Sequence, residues 1–346
     1  MRTAGKMKAA VFHGAGQVEV VDVPLPEVGA EEVLLRVHYC GICGSDLEAY
    51  HTGMYQPGVV FGHEFAGEIV QVGEKVENWE KGDGVVVNDA IPCGRCGPCG
   101  QNKPTLCDDL VMPGITLNGG MAEYAVIPAQ ALYKLPGGVS MRQGSLLEPL
   151  AVALHGVRRS ALQSGDEVLV MGAGTIGLLT AKCALLAGAR EVYVSEVDPS
   201  RASLAAQFGA SAFFDPGRHN LAVEMASRCG DGGPAVVYVC TGARSALEEA
   251  ITLVNKGGQI MLLGLVVEPT AGDFFTLVLH ELDIRGSYMG YEEFPEALDL
   301  LAKGQVDVES LITHEIGLNE VVSRGFEVLD RADARVVKVL VKMIQS

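Results

Sequence analysis

A run of glycines placed directly after a buried-type strand constrains this chain more than any other feature. Residues 166–171 read as a strand, and Gly172-Ala-Gly174-Thr175-Ile176-Gly177 follows at once and opens an apolar helix over 175–187. Strand, glycine turn and helix in that order begin a βαβ unit. Gly172 allows the tight turn, Gly174 lets backbone approach a pyrophosphate, and Gly177 lets the helix pack on the strand. The helix N-terminus offers N–H donors and partial positive charge to phosphates. An acidic residue is expected about 20 residues on, at the end of the second strand. Residues 191–195 form that strand, and Glu196 follows it, 19 residues after Gly177. A carboxylate there accepts from the ribose hydroxyls and repels a 2′-phosphate, so the pattern predicts NAD rather than NADP. Asp198 is the competing acid. Arg201 is placed to contact the adenine-ribose end, with a solvated helix-face role as its alternative.

The same alternation continues downstream. Strands are expected over 235–240 and 259–263, and helices over 201–208 and 245–254, which together specify a parallel sheet. Upstream, from residue 7 to about 131, the pattern is strand and turn. Segments 9–12, 32–37, 67–72 and 84–87 are β-branched or alternating and bounded by Gly, Pro and Asp, with no long helical period. That half reads as an irregular all-β domain with long loops. Helices over 149–159, 294–302 and 318–328 and a last strand over 335–341 complete the reading. The cofactor domain is thus inserted late in the β domain, and the tail returns to it.

A length of 346 residues sets a prior of about two domains. Lys+Arg 26 against Asp+Glu 43 gives a net charge of −17, a field that repels nucleic acid and anionic membrane surfaces. No apolar run approaches the ~20 residues of a membrane helix. The nearest, 168–186, carries Lys182 and three glycines. Residues 1–7 lack the apolar centre of a signal peptide and read as a short extension before a strand. The expected location is the cytoplasm, where the nine cysteines serve as ligands, nucleophiles or small core residues rather than disulfides.

Cys93, Cys96, Cys99 and Cys107 lie in a loop of Gly, Pro, Arg and Asn with the spacing C-x2-C-x2-C-x7-C. Four thiolates that close suit a tetrahedral structural zinc with no open position. The rivals are an iron–sulfur cluster, whose usual spacing the last gap breaks, and a zinc-ribbon nucleic-acid reader, which the acidic charge opposes. Elsewhere, Cys43, His63, Glu64 and Glu148 offer a soft thiolate, an imidazole and carboxylates. With solvent as a fourth partner, such a set describes a catalytic zinc with an exchangeable position. Taken singly, Cys43 and His63 fit a core and the two acids a surface. Together with a nucleotide fold they favour a metal. Cys40, Cys183, Cys229 and Cys240 carry no motif and are assigned to the core.

The pattern G-H-E-x2-G-x5-G, carried by Gly62, His63, Glu64, Gly67 and Gly73, resembles the signature of zinc-containing medium-chain alcohol dehydrogenases. The four-cysteine lobe and the nucleotide motif follow in the order that family shows. Glu148, in Leu-Glu-Pro-Leu-Ala-Val-Ala-Leu-His-Gly, resembles the branch containing sorbitol, threonine, butanediol and polyol-phosphate dehydrogenases. The resemblance implies an α/β protein with a GroES-like irregular β catalytic domain over 1–151, its structural zinc lobe at about 90–110. A doubly wound Rossmann parallel-sheet domain spans 152–289, and 290–346 return to the catalytic domain, with a cleft between the two.

It further implies two zinc ions and NAD, the cofactor binding before a small alcohol or polyol. The reaction is oxidation of a secondary alcohol, diol, polyol, sugar phosphate or L-threonine. Cys43 and His63 are implied zinc ligands, with Glu64 or Glu148 completing the shell. Asp46 orients His63, and Ser45 takes the proton from the substrate hydroxyl. Leu263, Gly264, Leu265, Gly286 and Ser287 fall where relatives line the nicotinamide pocket. A homodimer or homotetramer through the nucleotide domain is implied, with no nucleic-acid or membrane partner. The chain departs from many relatives in having Glu48 where a relay histidine stands, with His51 three residues on. Glu48, His51 or water then replaces that relay step.

Overall fold

Two strands, β1 (Lys6–Gly14) and β2 (Gln17–Pro24), open the chain as an antiparallel hairpin. Gly16 makes the turn with φ 70°, a conformation that costs a glycine nothing. This computed structural model describes residues 5–229, 232–267, 269–331 and 335–343. Most of the expected N-terminal extension lies outside the described residues, and the strand begins at Lys6. The chain divides into two units, Met1–Glu148 with Tyr291–Ser346, and Pro149–Gly290.

In the first unit β3 (Glu32–Gly41), β4 (Glu64–Val72), β5 (Gly84–Val87), β6 (Tyr124–Pro128) and β7 (Leu132–Lys134) belong to one sheet. In the second, β8 (Glu167–Met171), β9 (Glu191–Ser195), β10 (Ala212–Phe214), β11 (Val236–Val239), β12 (Gln259–Leu262) and β13 (Asp283–Gly286) form a six-stranded sheet. The chain then returns to the first sheet through β14 (Ile312–Gly317) and β15 (Lys338–Lys342). Alternating apolar residues of β3 and β4, such as Val33, Leu35, Val37 and Ile69, are fully buried with Phe12, Phe61 and Phe326 in the core of the first unit. Each such side chain contributes about 1.5–3 kcal/mol by leaving water.

Three neighbouring strands position the site. β3 pairs with β4 so that Gly41 lies opposite Glu64, and β15 pairs with the other edge of β3, Leu340 opposite Gly41. The end of β3, the start of β4 and the start of β15 therefore meet at one place.

The six strands of the second unit are all parallel in the order β10-β9-β8-β11-β12-β13. Chain direction reverses its outward progression at β8/β11, the switch point outside which such sheets bind dinucleotides. The strands are continuous apolar runs because helices such as Thr175–Leu186 cover the sheet.

Two expectations need correction. The β-rich half contains a nine-residue helix, Gly44–Thr52, which has no apolar stripe. Its ends hold it instead: Asp46 Oδ2 accepts from the Cys43 N–H at 3.0 Å, and Gly53 closes it in the left-handed conformation, φ 76°. The single amphipathic helix expected over 318–328 is a 3-10 turn (Leu318–Glu320), a π segment (Val321–Phe326) and an α turn (Glu327–Asp330). Val321 and Phe326 are both fully buried, and a spacing of five shares one face only when the turn widens.

Candidate functional site

Cys43 stands at the cap of the helix Gly44–Thr52, directly beyond β3. His63 and Glu64 stand at the start of β4. Gly62, with φ 95°, turns the chain into that strand, and a side chain there would meet Cys40 Sγ and Met121. Ligand atoms of Cys43, His63 and Glu64 all lie within 4.8 Å of one another, the last two residues being buried. Asp46, fully buried, brings Oδ1 to 3.4 Å from His63 Nδ1, outside hydrogen-bond geometry, so both atoms lack a partner among the described residues. Burial opposes a charged imidazole, but the Asp46 carboxylate and the Cys43 sulfur outweigh it and hold the His63 pKa well above its ordinary value.

Glu64 is not open on all sides. Lys338 Nζ, from the start of β15, lies 2.6 and 2.8 Å from its two oxygens and 3.0 Å from the Ile42 carbonyl. Glu148, in the first turn of the helix Leu147–Arg159, is 7% exposed but does not belong to the close-set group of three. Burial, then the neighbouring Asp89 charge, push its pKa well above the usual carboxylate range. Asp89 itself escaped the sequence reading. It is 2% exposed, its Oδ1 has no partner among the described residues, and burial raises its pKa to about 6. Only its acidic type next to the strand 84–87 could have drawn attention to it. Ser45 lies beside the phenol of Tyr55, in the segment 48–58. His51 pairs with Asp330 at 2.7 Å, both side chains well exposed.

This donor set fits a divalent metal. Glu64, the Cys43 sulfur and Glu148 all act on the Lys338 ammonium, and Asp89 and Glu64 act on Glu148. A thiol, an imidazole and a carboxylate whose ligand atoms lie that close together suit zinc.

The four cysteines of the lobe also come together, all sulfurs within 4.8 Å. Cys96 Sγ is 3.4 Å from Cys99 Sγ and 3.8 Å from Cys107 Sγ. Cys96 precedes the turn Gly97–Gly100, Cys107 follows the 3-10 turn Pro104–Leu106, and an antiparallel bridge between Ile91 and Val111 closes the base. The Arg95 amide leads the backbone groups that lower the Cys93 pKa to about 7, favouring the thiolate a metal takes. A closed four-sulfur set suits structural zinc. Cys40 and Cys183 are core residues as expected, whereas Cys229 and Cys240 are half-buried.

In the second unit Gly172 adopts φ 104°, and a side chain on Gly177 would collide with the Gly172 carbonyl. Gly174 caps the helix that Thr175, Ile176 and Gly177 begin. Glu196, at the end of β9, accepts the Ala173 N–H at 2.8 Å and lies 3.4 Å from Arg201. Asp198 instead caps the turn Pro199–Arg201 through Ser200, so Glu196 is the acid on the glycine loop. Leu263, Gly264 and Leu265 follow β12, and Gly286 and Ser287 end β13. All these residues therefore stand at the carboxyl edge of the parallel sheet, where dinucleotides bind. No described helix is long and apolar enough to cross a membrane.

Known proteins resemble this chain in sequence and structure. The alcohol dehydrogenase GroES-like domain matches residues 29–137, and the zinc-binding dehydrogenase family matches residues 175–303. Sorbitol dehydrogenase of Bacillus subtilis is 31% identical over 325 residues, 91% of each chain. (R,R)-butanediol dehydrogenase of the same organism is 34% identical over 352 residues, 97% of this chain and 99% of that one. A solved Sinorhizobium meliloti protein described as a zinc-binding dehydrogenase, bound to NADP, superposes with a TM-score of 0.92 at 34% identity. It covers 98% of this chain and 99% of its own.

Proposed function

Because this chain belongs to the zinc-containing medium-chain alcohol dehydrogenase family, and is a zinc- and nicotinamide-linked oxidoreductase, we propose that it oxidises a secondary alcohol, diol or polyol with NAD+. The observation that carries this reading is the group of half-buried Cys43 with buried His63 and Glu64, their ligand atoms inside 4.8 Å. The acids Asp89 and Glu148 beside it, with Lys338 already engaged by Glu64, favour a neutral hydroxylic substrate over a phosphate or carboxylate. Glu196 on the glycine loop favours NAD+ over NADP+.

A zinc ion at the three-residue group supplies a Lewis acid for the substrate hydroxyl. Cys43 and His63 would hold it, and Glu64 or Glu148 would complete its shell. Asp46, 3.4 Å from His63 Nδ1, is placed to orient the ring, which would leave the other nitrogen for a metal. Ser45 Oγ accepts the hydroxyl proton. The glycine loop Gly172–Gly177 would hold a nicotinamide dinucleotide by its pyrophosphate, and that cofactor would supply the hydride acceptor. The four-cysteine lobe holds a second zinc with a structural role.

The assembly is a homo-oligomer through the second unit. Phe274, Phe275, Val278 and Leu279 are 70, 74, 70 and 61% exposed on one short helix, and β13 has no further neighbour among the described residues. A second copy covering both would extend the sheet and bury the apolar face. Light scattering on Phe275→Asp tests this by the loss of the oligomer. An NAD+ reduction screen over diols, polyols, L-threonine and sugar phosphates tests the activity. Turnover confined to the acidic substrates would overturn the preference argued above.

A further inference from the structure

The end of β3 that lies away from Cys43 borders a cavity of about 380 Å³, a size within the roughly 300–1,000 Å³ of small-molecule sites. Glu32, at that end, pairs with Pro128, and Val33 pairs with Val72, whereas Gly41 at the other end pairs with Glu64. Ten residues of strand, at about 3.3 Å each, put roughly 30 Å between the two ends. Three segments wall the cavity: the turn into β3, the loop after β4 and the 3-10 turn Ala129–Ala131 after β6. The Gly73 N–H donates to the Glu32 carbonyl at 2.8 Å, the Lys75 N–H to the Ala30 carbonyl at 2.9 Å and the Ala129 N–H to the Glu31 carbonyl at 3.0 Å. A side chain on Gly73 would collide with the Gly29 carbonyl, so the first two segments meet backbone to backbone. Walls tied in this way make the cavity preformed.

Trp79, the chain's single tryptophan, lines the cavity and packs against the core of the first unit. Its indole N–H donates to the Ala129 carbonyl at 3.2 Å. That bond joins two of the walls, fixes the ring and engages its one donor, so the ring offers the cavity apolar surface. Glu31, Glu77, Asn78 and Gln130 add carboxylate and amide groups to the lining. Lys75, the cation of the lining, already lies 3.5 Å from Glu31. A phosphate or carboxylate would therefore meet two acids and a cation that is already paired. Carboxylates accept from hydroxyls, and amides both donate and accept. A sugar ring carries the complement, an apolar C–H face and a rim of hydroxyls. We propose that this cavity binds a neutral pyranose sugar, its C–H face on Trp79 and its hydroxyls on Glu77, Asn78 and Gln130. Binding here requires neither zinc nor nicotinamide.

Because Trp79 is the sole tryptophan, indole emission from the full chain reports this cavity alone. The test titrates D-glucose and maltose as neutral probes, glucuronate as the anionic one and choline as the cationic one. Wild type, the double variant Asn78→Ala with Gln130→Ala, and Cys43→Ala are compared. Asn78 and Gln130 are exposed, so the double variant keeps the wild-type melting temperature. The expected result is a saturable change in emission with at least one neutral sugar, its affinity lowered about 10-fold in the double variant and unchanged in Cys43→Ala. No saturable change with either sugar overturns the proposal. So does a change that the double variant leaves intact, which places binding elsewhere. Loss of the response in Cys43→Ala overturns it too, because the sugar is then held at the metal group. A response to glucuronate or choline as strong as that to the sugars assigns the cavity to charged ligands and also overturns it.

Discussion

Lys338 and Glu64, 274 residues apart in the chain, form a buried ion pair, the ammonium 2.6 and 2.8 Å from the two carboxylate oxygens. They are 3% and 1% exposed, respectively. Burial opposes the Lys338 charge, and the Glu64 carboxylate overcomes that and holds its pKa above the ordinary value. Removing one partner strands a charge in the core. Lys338→Met is expected to cost about 3–5 kcal/mol in urea unfolding, and Glu64→Gln combined with it to cost less than Lys338→Met alone.

Metal content separates the two clusters. On the proposed two-zinc reading, Cys43→Ala or His63→Ala is expected to lower the zinc content by one equivalent per chain and to abolish alcohol oxidation, leaving the fold in place. Cys96→Ser removes the other and lowers the melting temperature, since binding free energy at a closed lobe is folding free energy. Elemental analysis with thermal melts on each variant checks this.

The acids at the site give the metal-free protein a pH signature. Burial raises the pKa of Asp89 from 3.8 to about 6, so the folded chain keeps a proton that the unfolded chain has released. Between those values stability falls as pH rises, by about 3 kcal/mol for a shift of that size. Glu148, also raised, adds in the same direction. His63, raised as well, loses its contribution as pH climbs through its folded value. Chelator-treated protein should therefore unfold more easily at pH 7 than at pH 5, and Asp89→Asn should flatten that slope in denaturant titrations.

Cofactor choice follows from the glycine loop. Glu196→Ala removes the acceptor beside Ala173 and a carboxylate neighbour of Arg201. The ratio of kcat/KM for NAD+ over NADP+ is expected to drop by at least about tenfold. An unchanged ratio removes Glu196 from the account.

What the sequence reveals depends on how far apart the partners are. β5, β9 and the helix Phe294–Ala302 lie where their apolar patterns place them, because burial repeats with the period of the element. The helix Gly44–Thr52 is short, has no apolar stripe of helical period and is held by its caps, so periodicity does not disclose it. Cys43 and His63, and separately the four lobe cysteines, come together as their motifs lead one to expect, because side chains that suit a metal are of few types. Lys338, Asp89 and Tyr55 are not. Each is an ordinary residue in an ordinary segment, and only strand pairing or loop closure brings it to the site. The choice between Glu196 and Asp198 likewise waits on which carboxylate meets the Ala173 amide.

The most direct measurement of the central claim is the rate of NAD+ reduction with a vicinal diol before and after chelation, and again after zinc is restored. The account predicts turnover in the native protein, its loss with the metal, and its return with one equivalent at the Cys43–His63 group. Turnover that persists in fully metal-free protein would contradict it and place the chemistry with a zinc-independent reductase on the same scaffold.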